Sequence, residues 1–114
     1  MTKDKVVLVN FPFDDLSSAK VRPALCLTDP IGPFRHVVLA FISSRIPDVV
    51  LPTDLWLDPG CPGYVATGLR VPSTLRLHRL LTVPTSVIRR EIGMLSASLQ
   101  AEVAKRLRLL FGLD

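Results

Sequence analysis

Short apolar runs alternate with clusters of proline, glycine and aspartate along most of this chain, and that spacing constrains its fold more than any other feature. Runs of this length, rich in valine, leucine and isoleucine and bounded by turn residues, are typical of β-strands. The predicted strands are residues 6–11, 23–28, 36–46, 53–57, 73–77 and 80–83. The chain is therefore expected to be mainly β.

The C-terminal segment carries one long helical pattern. Ser96 can cap a first turn, an apolar stripe at helical spacing follows it, and Gly112 provides a stop. The stripe consists of Leu99, Val103, Leu107 and Leu110, with Phe111 beside it. A short helix or turn is also predicted over residues 85–90. Strands followed by one helix favour a small, strongly bent β-barrel of five to seven strands, although the pattern fits a small sandwich equally well.

Length and composition set the broad class. The 114 residues suffice for one domain, which we expect to span residues 1–114. Hydrophobic residues make up 48% of the chain, which excludes a disordered chain. No apolar run approaches the ~20 residues that cross a bilayer, and the N-terminus lacks a signal-peptide pattern. We therefore expect no membrane partner and a cytoplasmic location.

Positive charge is concentrated in the second part of the chain. Residues 1–69 contain six Lys/Arg against seven Asp, whereas residues 70–114 contain eight Lys/Arg against three Asp/Glu, a net charge of +5. Such an excess favours attraction to nucleic acid or to an acidic protein segment. The alternative is a solvated helix face, since three of these cations, Lys105, Arg106 and Arg108, lie on the predicted terminal helix.

The cysteines and histidines indicate no metal site. Cys26 lies in an apolar strand and Cys61 in a turn, and together with His36 and His78 they form no zinc-binding spacing. We expect no metal and no cofactor.

Candidate catalytic groups stand at the ends of two predicted strands. Arg22 precedes Pro23, which extends the backbone at Arg22. Ser43, Ser44 and Arg45 interrupt the next long apolar run. Two guanidiniums and two hydroxyls would suit a phosphate diester, because arginine offers several donors at a fixed positive charge.

The segment 73–79 adds further polar groups. Strand alternation predicts that Thr74, Arg76 and His78 share one face. Arg76 and the neighbouring Arg79 are candidate phosphate contacts. His78 has an intrinsic pKa suited to proton exchange, although its burial and its partner decide whether it takes part in chemistry.

Four segments, in their order and wording, resemble the PemK/MazF family of type II toxins. Residues 3–13 resemble the family's opening strand and 21–27 its Arg-Pro-Ala strand; residues 51–54 and 68–114 are similar to its Leu-Pro-Thr segment and to its closing strands and final helix. The resemblance covers nearly the whole chain. It implies an SH3-like barrel with a C-terminal helix and a two-fold homodimer.

The resemblance also implies an activity and a site. The family's members are metal-independent, sequence-selective endoribonucleases that cleave single-stranded RNA through the substrate's own 2′-hydroxyl, and an acidic, partly disordered antitoxin segment occupies the RNA groove. Arg22 matches the family's catalytic arginine. Ser43 matches the position where the family most often has a catalytic threonine, and it keeps the hydroxyl without the methyl that restricts χ1.

The predicted site therefore has a catalytic pair, two accessory groups and an RNA-binding set. The pair is Arg22 and Ser43, the possible accessory groups are Ser44 and His78, and the RNA-binding residues are Phe13, Lys20, Arg45, Arg76 and Arg79. Phe13 heads a loop over residues 14–20, which in the family gates RNA and is displaced by antitoxin. Base stacking on aromatic side chains such as Phe13 is the usual means of holding single-stranded RNA.

Two other classes of function stay open at this point. One is a same-fold relative that poisons a protein target such as DNA gyrase, which would not need Arg22 and Ser43 together. The other is a catalytically weak or inert module that binds nucleic acid or protein, which the serine at position 43 makes plausible. Incubation with a defined single-stranded RNA in excess chelator separates the ribonuclease from both.

Overall fold

Six antiparallel strands form one sheet in the computed structural model, which describes residues 2–11 and 20–113. The strands are β1 (Lys5–Phe11), β2 (Lys20–Cys26), β3 (His36–Ser43), β4 (Asp54–Leu57), β5 (Ser73–Pro84) and β6 (Ile88–Met94), and the helix is α1 (Ala97–Phe111). Their spatial order is β4-β5-β3-β2-β1-β6. The predicted fold class, mainly β with a C-terminal helix, is confirmed; the sheet is not closed, and β4 and β6 form its edges.

The sheet packs apolar side chains on both faces. One group, the helix-side core, lies between the sheet and α1 and comprises Val6, Leu25, Ala40, Ile42, Leu55, Leu57, Tyr64, Leu75, Leu77, Leu95, Leu99 and Val103. The second group, the opposite-face core, comprises Val7, Val9, Ala24, Cys26, Val37, Leu39 and Val83. Neighbours such as Val6 and Val7 belong to different cores because successive side chains of a strand point to opposite faces.

The terminal helix is bounded as its sequence predicts. The Ser96 hydroxyl accepts a hydrogen bond from the Leu99 amide at 3.3 Å, which satisfies one of the free donors of the first turn. Gly112 adopts a left-handed conformation with φ of 68° and ends the helix. Leu99 and Val103 are buried against the sheet, so the predicted stripe anchors the helix.

Two stretches differ from the sequence-based expectations. The predicted strands 73–77 and 80–83 form the single strand β5, whose pairing with β3 slips between Ala40 and Phe41. This bulge bends the strand and interrupts its alternation, so one long strand gives two short patterns. The predicted helix or turn over residues 85–90 is a 3₁₀ turn at Thr85–Val87, after which the chain enters β6.

Close backbone approach holds the segment before β5 against β6. A 3₁₀ turn at Val65–Thr67 lies over β6, and a Cβ at Gly93 would overlap the backbone oxygens of Ala66 and Thr67. Gly68, which has φ of 75°, likewise lies against the Ile92 carbonyl. The two glycines therefore permit the contact that sets one wall of the cavity described below.

Candidate functional site

Arg22 and Ser43 lie on the same face of neighbouring strands. The paired register of β2 and β3 ends at Ala24 and Phe41, and when it is extended by two residues Arg22 falls opposite Ser43. Because alternate residues share a face, both side chains belong to the face of Ala24 and Phe41. Arg22 is exposed, and Ser43 is partly buried at the last position of β3.

The same line continues across two further strands. Thr74 of β5 pairs with Ser43 on one side and with Trp56 of β4 on the other. We call Arg22, Ser43, Thr74 and Trp56 the cross-strand row. Trp56 is 41% exposed and its indole donates to the Asp58 carboxylate at 2.7 Å, so the ring is held in place at the open end of the row.

The groups that fix Trp56 are themselves ordered. The hydrogen bond from Trp56, followed by that from Cys61, lowers the pKa of Asp58 below its usual value. The Gly60 amide also donates to Asp58, at 2.9 Å. The Asp58 carboxylate is thus charged near neutral pH and fixes the indole through its hydrogen bond.

Two residues from Thr74 and Trp56 along their strands, the buried carboxylate of Asp54 binds the predicted phosphate contact Arg76. Asp54, with a side chain only 1% exposed, accepts from Arg76 Nε at 3.1 Å and from its terminal nitrogen at 3.3 Å. His78 Nδ1 lies 4.0 Å from the same carboxylate. The Arg79 guanidinium lies 5.3 Å from the centre of the Phe41 ring, in a cation–π arrangement. Arg76 and His78 therefore face Asp54, whereas Arg79 is exposed beside the row.

The chain turns away immediately after Ser43. The Arg45 amide donates to the Ser43 hydroxyl oxygen at 3.1 Å, and both Ser44 and Arg45 are exposed beyond the end of β3. The hydroxyl oxygen of Ser43 is thus engaged by one backbone donor, and within the described part of the chain the hydroxyl donates no hydrogen bond.

A cavity of about 690 Å³ opens at the sheet's rim, and Arg22 is the member of the cross-strand row that belongs to its lining. Its polar lining is Arg22, Ser44, Arg70, Ser73, Arg90 and Glu91. The apolar part of the lining includes Leu8, Pro23 and Ile42. Glu91 is paired with Lys5 at 3.4 Å, so its negative charge is partly compensated.

Arg70 and Arg90 were absent from the site predicted by sequence. Both belong to the basic part of the chain, which was the one available signal. Arg90 reaches the cavity because β6 pairs with β1, where it stands opposite Leu8. That pairing joins residues far apart in sequence, and no local pattern indicates it.

Two predicted RNA contacts, Phe13 and the side chain of Lys20, lie outside the described residues. Phe13 lies outside the described residues, as does most of the predicted gating loop. The backbone of Lys20 opens β2 opposite Phe11, and its side chain is outside the description.

The described residues contain no group of three or more histidine, cysteine, aspartate or glutamate side chains able to hold a metal ion. Cys26 is fully buried, and burial, with a smaller contribution from the charge of Glu91, raises the pKa of its thiol to about 11. The thiol is therefore protonated near neutral pH and is a core residue. Within residues 2–11 and 20–113, no helix is long and apolar enough to span a membrane.

Comparison with known proteins identifies the relatives of this chain. A family model described as "PemK-like, MazF-like toxin of type II toxin-antitoxin system" matches residues 2–111. The Mycobacterium tuberculosis toxin MazF-mt6 is 25% identical, with a TM-score of 0.73 over 96% of this chain and 98% of that one. A mycobacterial endoribonuclease in complex with its cognate antitoxin is 13% identical, with a TM-score of 0.71 over 100% and 97%. A MazE–MazF structure from Deinococcus radiodurans is 18% identical, with a TM-score of 0.69 over 100% and 98%. A comparison with curated protein sequences finds no match.

Proposed function

The chain belongs to the PemK-like, MazF-like family of toxins of type II toxin–antitoxin systems, and from this premise we propose that it is a metal-independent endoribonuclease. The proposed substrate is single-stranded RNA, cleaved with sequence selectivity by attack of its own 2′-hydroxyl. One observation carries the proposal: the strand register sets Arg22 and Ser43 on one sheet face, and Arg22 also belongs to the lining of a cavity that contains Arg70 and Arg90. In this arrangement, the serine hydroxyl and the guanidinium would contact the same phosphate.

The proposed reaction assigns a separate task to each of the two side chains. The substrate's 2′-hydroxyl gives up its proton as its oxygen bonds to phosphorus, and the departing 5′-oxygen takes up a proton, so the products are a 2′,3′-cyclic phosphate and a 5′-hydroxyl. Arg22 stabilises the charge that develops on the non-bridging oxygens, because its fork carries a permanent positive charge. Ser43 donates its free proton to one of those oxygens. Ser44 and His78 are proposed accessory groups for proton exchange.

The RNA on either side of the reacting phosphate needs further cations. We propose that Arg70 and Arg90 contact neighbouring phosphates within the cavity that Arg22 also lines. The remaining proposed contacts are Phe13, Lys20, Arg45, Arg76 and Arg79, with Arg76 oriented by its ion pair with Asp54.

The family premise also supports proposals about partners. The mycobacterial and Deinococcus structures contain toxin–antitoxin pairs, which supports a cognate antitoxin for this chain. We propose that its acidic segment occupies the arginine-lined cavity, that two copies of the chain form a homodimer and that the protein acts in the cytoplasm.

A chelator experiment tests the activity. Purified protein is incubated with a defined single-stranded RNA in excess EDTA, and the ends of the products are identified. We expect cleavage with 2′,3′-cyclic phosphate ends, a loss of about 100-fold or more in Arg22→Ala, and little change in Arg89→Ala, an exposed arginine that is not part of the cavity lining.

Two results would contradict the proposal. Cleavage that disappears with EDTA would exclude a metal-independent reaction. A folded wild-type protein that binds the RNA without cutting it would favour the alternative of a weak or inert same-fold relative. The observation that favours this alternative is Ser43, which stands where the family most often has threonine.

A further inference from the structure

The hydroxyl of Thr74 is buried without a partner. Thr74 is 2% exposed, and its Oγ1 has no hydrogen-bond partner within the described part of the chain. Buried hydroxyls are almost always hydrogen-bonded, because an unpaired one loses its bonds to water and gains none. Valine has the same shape and would fill this position without that cost, so the hydroxyl has no stabilising role that the structure shows.

The position of this hydroxyl is specific. Thr74 is the cross-strand partner of Ser43, the proposed proton donor to the phosphate. Side chains that face each other across two antiparallel strands have Cβ atoms about 4.5–5.5 Å apart, so their hydroxyls come within hydrogen-bonding reach by rotation about χ1. A threonine hydroxyl has more than one accessible χ1 rotamer.

The oxygen of Ser43 has room for a second donor. It accepts from the Arg45 amide at 3.1 Å, and a hydroxyl oxygen has two acceptor sites. If a donor occupied the second site, both acceptor positions of the oxygen would be filled. The O–H bond of the serine would then be the one remaining way for the hydroxyl to form a hydrogen bond. Hydrogen bonds in such a chain polarise one another and strengthen the last donor.

We propose that Thr74 is a positioning residue, whose hydroxyl donates to Ser43 Oγ when RNA is bound and directs the serine proton toward the phosphate. Thr74 is too buried to touch the RNA itself, and it acts through Ser43. The inference rests on the proposed ribonuclease function and adds a residue to it.

The test compares kinetics and stability in Thr74→Val and Thr74→Ser. We expect kcat of the valine variant to fall about five- to tenfold, the rate equivalent of one neutral hydrogen bond, with KM unchanged. Thr74→Ser keeps the hydroxyl and should retain most of kcat. Thr82→Val, an exposed position on the same strand, is the matched control for activity.

Stability separates a positioning role from a structural one. Thr74→Val should keep or raise Tm, because it removes an unpaired buried hydroxyl. Thr67→Val is the contrasting control, because the Thr67 hydroxyl donates to the Tyr64 carbonyl at 2.6 Å and accepts from the Leu69 amide at 3.2 Å. That control should lower Tm by several degrees.

A double variant shows whether Thr74 acts through Ser43. In a Ser43→Ala background, Thr74→Val should cause no further loss of kcat. An additive loss there, a wild-type kcat in Thr74→Val, or a clear fall in its Tm would each overturn the proposal while leaving the ribonuclease function intact. An RNA-binding wild type that does not cleave would instead overturn the function, and the role of Thr74 with it.

Discussion

Ser43 ends its strand with one acceptor site filled by the Arg45 amide, so its proposed role as a proton donor depends on the direction of its O–H bond. A threonine at this position would keep the hydroxyl and add a methyl that limits χ1. Serine therefore has more rotamers to lose on reaching the productive geometry. In our proposal the neighbouring groups, above all Thr74, restrict the rotation of the Ser43 side chain.

Substitution at Ser43 separates the hydroxyl from the shape of the side chain. We expect Ser43→Thr to match or exceed wild-type kcat, since it restores the hydroxyl with a narrower choice of rotamers. Ser43→Val has the same shape as threonine and no donor, and should lose about 100-fold or more. Single-turnover cleavage of one RNA measures the rates of both variants, and circular dichroism shows whether each variant is folded. Equal rates in the two variants would show that the hydroxyl is not used.

Among the elements, α1 and the central strands of the sheet can be predicted from local sequence. Helix caps, apolar stripes at helical spacing and runs of β-branched residues each involve only residues close together in the chain. β6 does not. Its run from Ile88 to Glu91 is charged and exposed, as edge strands often are, and it becomes a strand only by pairing with β1. The site shows the same division: Arg22 and Ser43 stand beside recognisable strands, whereas Arg90 depends on that distant pairing.

The contact between β6 and the 3₁₀ turn at Val65–Thr67 is testable at Gly93. A Cβ there would overlap backbone oxygens of Ala66 and Thr67, which cannot move aside as a side-chain tip can. We expect Gly93→Ala to lower the free energy of unfolding by about 1–3 kcal/mol or more, measured by urea denaturation.

Gly60→Ala is the control for that substitution. Its Cβ would meet only the Asp58 carboxylate at 3.3 Å, and we expect a change within about 0.5 kcal/mol. Because the same contact forms a wall of the cavity, Gly93→Ala should also weaken RNA binding in protein that is still folded. A fully stable Gly93→Ala variant would show that the two segments do not pack as described.

For the molecule as a whole, the net charge of +4 matters less than its distribution. Residues 70–114 carry a net charge of +5 and residues 1–69 a net charge of −1, and Arg70 and Arg90 bring part of the positive charge to the cavity that Arg22 also lines. Other cations of this segment lie on α1, where Arg106 is engaged by Glu102 and by the Asp54 carbonyl. The cavity therefore brings three guanidiniums, those of Arg22, Arg70 and Arg90, into one lining, which suits the polyanion that we propose binds there.

Two adjacent arginines test whether this cavity is the polyanion site. Arg90 lines it and Arg89 does not, although both are exposed on β6 and carry the same charge. Binding of single-stranded DNA, which lacks the 2′-hydroxyl and is not cleaved, is measured over a range of salt concentrations. Each phosphate contact contributes about −0.7 to the slope of log K against log salt, so Arg90→Ala should reduce the slope by roughly that amount and Arg89→Ala should leave it nearly unchanged. A poly-glutamate peptide should compete with the DNA in wild type and compete less well in Arg90→Ala. Equal slopes in the two variants, or simultaneous binding of peptide and DNA, would place the polyanion site elsewhere on the molecule.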